Sequence, residues 1–395
     1  MTEQIEQVEH ELQNEQHKKQ REILQQAVQD AARAARIASD AAHRAGDAAE
    51  RIRTMMDAII KERARRKAKQ ANENDFPLHL PEMQLRSVAT LGPCQVLAVT
   101  ADEQQTALDY VLAADAMAAN NLAIKEIGGG GSVPRLQVKN KLKKPVLILE
   151  GDLLIGGKQN RLSNSSVLIP QKTKMPLPVS CIEHGRWGRR NTPSDLLNFG
   201  QNDQNAPSSF DSSSVCLAAP ISRELKRAKM SDSGQDVQTS VWNSISKLES
   251  ACAYHSDTSD HEELLRVSRG QLEDFLESTR CPEDAIGVAV IVGDHSYSFD
   301  LFDQHATCDH YWQMKVHAGL MHRRRMLSGE KLFTPDALEQ DVQQLNESRW
   351  IRHRSRDNHS QQLGFELHTQ TDQRSMATAL AYEDLPVHVS LLSQH

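Results

Sequence analysis

An uninterrupted heptad pattern at the start of the chain restricts how it can fold. Residues 2–71 contain no proline and a single glycine, Gly46, and consist mainly of Ala, Gln, Glu, Arg and Lys, most of which are strong helix formers. Apolar residues recur there at alternating steps of four and three, which predicts one long coiled-coil helix. We expect a homo-oligomer formed through this helix. One apolar seam contains Leu24, Val28, Ala31, Ala35, Ala38, Ala42, Ala45, Ala49, Ile52, Met56 and Ile59, and the neighbouring seam contains Ala27, Ala31, Ala34, Ala38, Ala41, Ala45, Ala48, Ile52, Met55 and Ile59.

The two ends of the predicted helix carry opposite charge. Residues 1–16 contain five glutamates and no lysine or arginine, whereas residues 61–69 contain six basic residues and one acidic residue. Each charge suits the helix dipole, and the two ends would also attract each other in an antiparallel pair. Two solvated helix ends are the alternative. Because the basic end lacks interleaved aromatic residues and the apolar face is mostly alanine, the pattern disfavours nucleic-acid and membrane binding.

Residues 72–82 separate this helix from the rest of the chain. The segment NENDFPLHLP at residues 72–81 combines two prolines with a polar cluster, and both features end helices. We therefore divide the chain into a coiled-coil helix at residues 1–71, a linker at 72–82 and a domain at 83–395.

Composition predicts a cytoplasmic protein. The net charge is −7, and no run of 18 or more apolar residues is present to form a membrane-spanning helix. No basic-then-apolar leader starts the sequence. The six cysteines are scattered singly without a C-x-x-C pair, which is typical of a protein that keeps its thiols reduced.

Residues 83–395 mix strand-like and helix-like segments. Continuous or alternating apolar runs predict strands, and apolar residues at helical spacing predict helices. Since no regular βαβ alternation appears, we predict an α+β domain rather than a doubly wound sheet. We expect the polar stretch at 191–214 to be a mobile loop. The strands are predicted at 83–90, 94–100, 133–138, 145–150, 152–156, 165–169, 177–183, 286–292, 297–302, 363–369, 375–382 and 386–392, and the helices at 104–119, 235–253, 260–279, 308–327 and 336–347.

Two motifs in this domain resemble those of a known family. Residues 150–161 read EGDLLIGGKQNR, and residues 178–187 read PVSCIEHGRW. Both resemble blocks of the ARG and Rhodanese-Phosphatase-superfamily-associated Protein domain, shortened here to ARPP, and the similarity extends over residues 83–392. By association with ADP-ribosylglycohydrolase and phosphatase-like proteins, the resemblance implies a role in ADP-ribose or NAD turnover. It carries over no catalytic residue.

The two motifs are rich in groups that suit a phosphorylated ligand. Arginine offers bidentate contacts to phosphate and lysine a point charge, while glycine lets the backbone approach a ligand closely. We predict no cofactor. The predicted ligand-binding residues are Lys158, Gln159, Asn160, Arg161, Glu183 and Arg186.

The same residues allow a purely structural interpretation. Arg161 and Arg186 would then pair with Glu150, Asp152 or Glu183 and lock two strands together. A catalytic interpretation is also open, in which Glu183 or Asp152 acts as a general acid or base.

Two further chemistries have weaker signals. Cys181 lies beside Glu183 and His184, as a nucleophile would, but its apolar strand is more typical of a buried, inert thiol. The residues His305, Cys308, His310, His317 and His322 crowd one region, but their spacing lacks the helical pair of a zinc site, so we predict no metal.

Three hypotheses follow from the sequence. The domain binds or processes an ADP-ribose or NAD-derived phosphorylated ligand, or the chain is a non-enzymatic assembly protein that uses its coiled coil, or it is a metal-dependent hydrolase.

Overall fold

The computed structural model describes a mixed α+β domain and short helical stretches before it. The described residues are 24–33, 36, 53–56, 75–76, 78–103, 106, 108–128, 132, 134–183, 210–230, 237–254, 256, 260–293, 296–321, 336–352, 362–371 and 375–393. The chain divides into two units, Met1–Glu73 and Asn74–His395.

The first unit is described over a small part of its length. Residues 24–33, which we call α1, and residues 53–56 are helical. The remainder of the predicted coiled coil lies outside the described residues.

A nine-stranded antiparallel sheet forms the largest layer of the second unit. Its spatial order is β1-β15-β16-β17-β18-β14-β13-β3-β2. The strands are β1 (Asp75–Phe76), β2 (Met83–Leu91), β3 (Cys94–Ala101), β13 (Gly287–Val292), β14 (Ser296–Phe302), β15 (Trp350–Arg352), β16 (Phe365–Thr371), β17 (Ser375–Tyr382) and β18 (Leu385–Ser393).

The central strands of this sheet are buried on both faces. Helix α7 (His305–Leu320) packs on β13 and β14, and helix α8 (Asp336–Glu347) packs on β16. Side chains of β13 alternate between two apolar clusters, with Val288 and Val290 in one and Ala289 and Ile291 in the other. A strand buried on both faces reads as a continuous apolar run, which is why β13 could be predicted.

Two smaller sheets complete the domain. The six-stranded sheet has the order β12-β8-β9-β11-β6-β5, and the three-stranded sheet has the order β10-β7-β4. Their strands are β4 (Val111–Leu112), β5 (Leu122–Glu126), β6 (Arg135–Asn140), β7 (Val146–Ile148), β8 (Asp152–Gly156), β9 (Arg161–Ser163), β10 (Val167–Ile169), β11 (Lys174–Cys181) and β12 (Phe210–Cys216). The first motif therefore forms the hairpin of β8 and β9, and the second motif begins at the end of β11.

The remaining helices pack around these sheets. They are α2 (Ala113–Ala118), α3 (Ala219–Met230), α4 (Val237–Ala251), α5 (His261–Gly270) and α6 (Glu273–Ser278). Helix α3 contacts α4 and also reaches strands β17 and β18 of the large sheet. Helix α5 starts at Asp260, whose carboxylate accepts a hydrogen bond from the Glu262 amide at 3.1 Å, as an N-cap does.

Several predicted boundaries were wrong. The helix predicted at 104–119 is only the short α2, because Val111 and Leu112 pair in parallel with β7 instead. The helix predicted at 260–279 is two helices, since α5 ends at Gly270, a poor helix former. Residues 210–216 form β12 although they belong partly to the predicted mobile loop, and residues 191–209 lie outside the described residues.

Candidate functional site

A glycine turn joins the two strands of the first motif. Gly156 and Gly157 have positive φ angles of 126° and 52°, a region that favours glycine. A Cβ atom on Gly157 would lie 2.2 Å from Cζ of Phe210, so that position also needs glycine for space. The Gly156 amide donates a hydrogen bond to the Asn160 side chain at 3.0 Å, which closes the turn.

The turn brings five of the six predicted ligand residues together. Gln159 donates from Nε2 to the Glu183 carbonyl at 2.8 Å, and the Asn160 amide donates to Glu183 Oε2 at 3.1 Å. Asn160 Nδ2 also donates to Asp260 Oδ2 at 3.0 Å. We call Lys158, Gln159, Asn160, Arg161, Glu183, Glu126 and Asp260 the turn cluster.

Arg161 is the centre of this cluster and is fully buried. Its Nη1 donates to Gln159 Oε1 at 3.0 Å and contacts Cys181 Sγ, while Nη2 lies 3.8 Å from Glu126 Oε1. The Lys158 amide donates to the same Glu126 oxygen at 3.3 Å. These contacts lie inside the domain, so the Arg161 guanidinium stabilises the packing of β9 against neighbouring strands.

Internal pairing of Arg161 was the structural interpretation of the sequence. The carboxylate beside Arg161 belongs to Glu126 on β5, whereas Glu150 and Asp152 bind groups elsewhere. Arg186, like His184, lies outside the described residues.

Cys181 has the environment of a structural thiol. Burial raises the pKa of its thiol, against the lowering effect of Arg161. Both backbone groups of Cys181 bind the Gln238 side chain, at 2.7 Å from Cys181 N to Oε1 and 2.9 Å from Nε2 to Cys181 O. A raised pKa lowers the fraction of thiolate, which is the nucleophilic form. The geometry therefore favours the inert interpretation.

Asp152 lies apart from the turn cluster. It starts β8 while the turn follows the other end of that strand, about 13 Å away for four residues at about 3.3 Å each. Its carboxylate accepts hydrogen bonds from the Leu149 amide at 2.9 Å and from the Tyr311 hydroxyl at 2.8 Å. Burial raises the pKa of Asp152, against the lowering effect of these hydrogen bonds. The two predicted catalytic candidates, Asp152 and Glu183, therefore belong to different parts of the domain.

A second group of buried charges surrounds Glu150. Lys226 Nζ lies 2.6 Å from Glu150 Oε1 and 2.6 Å from Thr378 Oγ1, and Lys229 Nζ lies 2.8 Å from Glu150 Oε2. Lys229 also pairs with Glu366. We call these five residues the lysine network. It joins the first motif and α3 to strands β16 and β17 of the large sheet.

Charges within the lysine network shift one another's pKa values. Burial alone would raise the pKa of Glu150, but Lys226 and Lys229 outweigh burial and lower it to about 2. Burial lowers the pKa of Lys226, although Glu150 acts to raise it. Burial also acts to lower the pKa of Lys229, but Glu150 and Glu366 together outweigh burial and raise it. Glu150 is thus held as a carboxylate by two ammonium groups.

A third group of buried charges surrounds Asp300 on β14. Asp300 Oδ1 lies 2.9 Å from Lys315 Nζ and 2.8 Å from His388 Nε2. Lys315 and then His388 lower the pKa of Asp300, against the effect of burial. Burial lowers the pKa of His388, although Asp300 opposes this. Lys315 follows Tyr311 by one turn of α7, so this helix supplies a partner to both Asp300 and Asp152.

The two lysines of the lysine network, Lys226 and Lys229, were not predicted from the sequence. Lys226 and Lys229 lie within α3, which was not predicted. A signal existed, because Pro220 suits a first helical turn and Ile221, Leu225 and Ala228 follow at helical spacing, with both lysines on or beside that apolar face. Charged residues on a buried helix face require partners, and this requirement pointed to carboxylates elsewhere in the chain.

The predicted histidine-rich region forms no metal centre within the described residues. There, no group of three or more His, Cys, Asp or Glu residues is arranged to hold a metal ion. His305 Nδ1 lies 2.8 Å from the Ala285 carbonyl oxygen, and His317 is buried in α7. His322 lies outside the described residues.

Comparison with known proteins decides the family. The ARG and Rhodanese-Phosphatase-superfamily-associated Protein domain matches residues 82–392. The chain belongs to the ARPP family. The match covers both motifs, α3 and the closing strands of the large sheet, which confirms the resemblance seen in the sequence. No curated protein and no solved structure matches the chain.

A search for membrane-spanning helices gave a negative result. Among the described residues, no helix combines the length and the apolar character needed to cross a bilayer.

Proposed function

We propose that this ARPP domain binds a phosphorylated ligand of the ADP-ribose or NAD-derived type at the turn cluster. The observation that supports this proposal is the meeting of the two motifs, through the bonds of Gln159 and Asn160 to Glu183. Arg186 follows Glu183 by three residues, so chain length keeps their Cα atoms within about 11 Å. In this proposal, Lys158 of the first motif and Arg186 of the second bind the same ligand.

The residues of the predicted site then take two different roles. Gln159, Asn160, Arg161 and Glu183 hold the turn through internal hydrogen bonds. Lys158 and Arg186 supply the contacts to phosphate, as a point charge and a bidentate fork. A turn held rigidly before binding lowers the entropic cost of binding. If the ligand is also processed, Glu183 is the predicted catalytic candidate that belongs to this site, since Asp152 lies at the other end of β8.

A thermal-shift panel on the full chain tests this proposal. The compounds are NAD, ADP-ribose, ADP-ribose phosphate, ADP and inorganic phosphate. A ligand at a hundred times its dissociation constant stabilises the folded state by about 2.7 kcal/mol, which raises the unfolding temperature by several degrees. We expect one nucleotide to produce this shift and inorganic phosphate to produce a smaller one.

Matched variants localise the binding. Lys158→Met removes the charge and keeps the aliphatic stem, Arg186→Ala removes the second basic group, and Lys143→Ala changes an exposed lysine outside the site. Both site variants should lose the shift while Lys143→Ala retains it. A shift that persists in both site variants, or no shift with any compound on folded protein, contradicts the proposal.

Exposed apolar side chains support a second function, assembly through the N-terminal helix. Leu24, Val28, Met55 and Met56 are 67%, 61%, 66% and 57% exposed. All four belong to the predicted heptad seams, and large exposed apolar side chains on one helix face are typical of an interface. Light scattering of the full chain over a range of concentrations should give a multimer, and a monomer at every concentration would exclude this function.

A further inference from the structure

Two of the six cysteines lie in contact with each other. Cys281 Sγ and Cys308 Sγ are 3.8 Å apart. Cys281 is half-buried in the connection between α6 and β13, whereas Cys308 is buried in the first turn of α7. The two residues are well separated in sequence, so the fold alone brings the thiols together.

Hydrogen bonds hold the two segments against each other on both sides of Cys281. Trp312 Nε1 donates to the Thr279 carbonyl at 2.9 Å, and Gln313 Nε2 donates to the Leu276 carbonyl at 3.0 Å. After Cys281, the His305 ring lies 2.8 Å from the Ala285 carbonyl oxygen. Helix α7 therefore keeps Cys308 beside Cys281.

We infer that Cys281 and Cys308 form a reversible disulfide when the protein meets a peroxide, and that Cys281 is the site of first oxidation. A disulfide bond is about 2.05 Å long, so the sulfur atoms must approach by about 1.8 Å from their present separation. Cys281 lies outside regular secondary structure, which allows the connection to make this adjustment without breaking a helix.

The reaction proceeds in two steps that balance. The Cys281 thiolate attacks one oxygen of the peroxide, the O–O bond breaks, and an alcohol or water leaves, which gives a sulfenic acid on Cys281. The Cys308 sulfur then attacks the Cys281 sulfur, the S–S bond forms, the S–O bond breaks, and water leaves. The two thiols lose two electrons and two protons in total, and the peroxide is reduced.

Access and acidity assign the order of the two cysteines. Cys281 is partly exposed, so a small peroxide can reach it, while Cys308 is buried. The hydrogen bond with Cys281, and then burial, raise the pKa of Cys308 well above its ordinary value. Cys308 thus remains a protonated thiol until the sulfenic acid forms beside it, and it acts as the resolving cysteine.

The bridge would act on a helix that carries buried polar groups. Tyr311 and Lys315 follow Cys308 by three and seven residues on α7, so the three side chains share one face. Tyr311 binds Asp152 and Lys315 binds Asp300. A disulfide would fix the first turn of α7 to residues 279–285. It would also reduce the conformational freedom of the unfolded chain between positions 281 and 308. The oxidised protein should therefore unfold at a higher temperature than the reduced protein.

Peptide mapping of the full chain tests the inference. Reduced protein is treated with one equivalent of hydrogen peroxide, remaining thiols are blocked with N-ethylmaleimide, and the digest is analysed by mass spectrometry without reduction. We expect a cross-linked peptide that joins Cys281 to Cys308 and disappears after treatment with dithiothreitol. No oxidation at Cys281, a sulfenic acid there without a bridge, or a bridge between other cysteines would overturn the inference.

Single variants separate the two roles. Cys308→Ser should trap the sulfenic acid on Cys281, where dimedone labels it, and Cys281→Ser should leave Cys308 as an unmodified thiol. Cys252→Ser changes a cysteine that is also half-buried, and the bridge should form in it at the wild-type rate. Equal dimedone labelling of Cys252 and Cys281 in Cys308→Ser would refute the selectivity of the site. Mapping of the wild-type chain decides the question even where a variant fails to fold.

Discussion

Removal of the Lys226 ammonium should destabilise the domain strongly. In Lys226→Met, the aliphatic stem remains but the contacts at 2.6 Å to Glu150 and Thr378 are lost. Loss of one partner of a buried ion pair costs about 3–5 kcal/mol, because the other charge stays buried. Since Lys229 still pairs with Glu150, we expect the lower end, about 3 kcal/mol. Urea unfolding of the full chain, followed by tryptophan fluorescence, measures this change in the free energy of unfolding.

The next residue on the same helix is a matched control. Arg227 pairs with Glu224 at 2.7 Å, but its side chain is 48% exposed. Exposed pairs contribute about 0–1 kcal/mol, so Arg227→Met should change the free energy of unfolding by less than about 1 kcal/mol. Equal effects of Lys226→Met and Arg227→Met would refute the assignment of the lysine network as a buried, tightly paired group.

The same variant should change the acid sensitivity of the domain. The pKa of Glu150 is about 2 in the folded state, against 4.5 ordinarily, a difference of about 3 kcal/mol at 1.36 kcal/mol per pH unit. Because the folded pKa is lowered, this stabilisation is complete above pH 4.5 and is lost as pH falls towards 2. In Lys226→Met, the folded pKa of Glu150 should move towards 4.5, so the loss of stability below pH 4.5 becomes smaller. Adding Glu150→Gln to Lys226→Met should recover part of the lost stability, because the buried carboxylate that lost one of its two ammonium partners is then removed, while Lys229 keeps its pairing with Glu366.

Three further perturbations test other parts of the structure. Burial lowers the pKa of His261 to about 3, so between pH 6.5 and pH 3 this imidazole binds a proton in the unfolded chain but not in the folded chain. His261 should contribute a fall in stability of about 2 kcal/mol from pH 6.5 to pH 5, and a urea series at both pH values should show that His261→Leu makes the slope smaller by about that amount. Gly157→Ala should cost more than Gly92→Ala in the same assay, since both glycines have similar positive φ but only Gly157 would contact Phe210; equal costs would refute the steric argument. Ala38→Glu places a charge in both predicted seams and should lower the multimer mass in light scattering, whereas an unchanged mass would argue against the seams.

The strands that could be predicted are those whose burial is visible in the order of their apolar and polar residues. β13 and β14 are buried along their whole length. β13 appears in the sequence as an apolar run, whereas in β14 aromatic and aliphatic residues alternate with Ser298 and Asp300. β12 could not be read in this way, because its buried residues, Phe210, Val215 and Cys216, lie on either side of four consecutive polar residues inside a polar stretch. β4 is only two residues long and exists because it pairs with β7. Local sequence carries no information about such a pairing.

The candidate site shows the same limit. The residue types of the first motif indicated buried or ligand-binding charges, but the partners come from distant segments. Glu126 precedes Arg161 by 35 positions, and Lys226 follows Glu150 by 76. Many carboxylates in the sequence could have served each basic residue. The sheet order selects one, since it places β5 and β9 in one sheet and brings α3 against the start of β8.

The ligand and structural interpretations of the two motifs make different demands on Arg161 and Arg186. Arg161 is fully buried and its guanidinium contacts Gln159, Cys181 and Glu126, so its truncation must lower stability whether or not a ligand binds. Arg186 belongs to the second motif, and its charge is needed for binding under the ligand hypothesis but for stability under the structural interpretation. A loss of ligand-induced stabilisation in Arg186→Ala, with an unchanged unfolding temperature of the ligand-free protein, therefore separates binding from packing. Loss of stability in both variants would instead assign the two motifs to the structure of the domain.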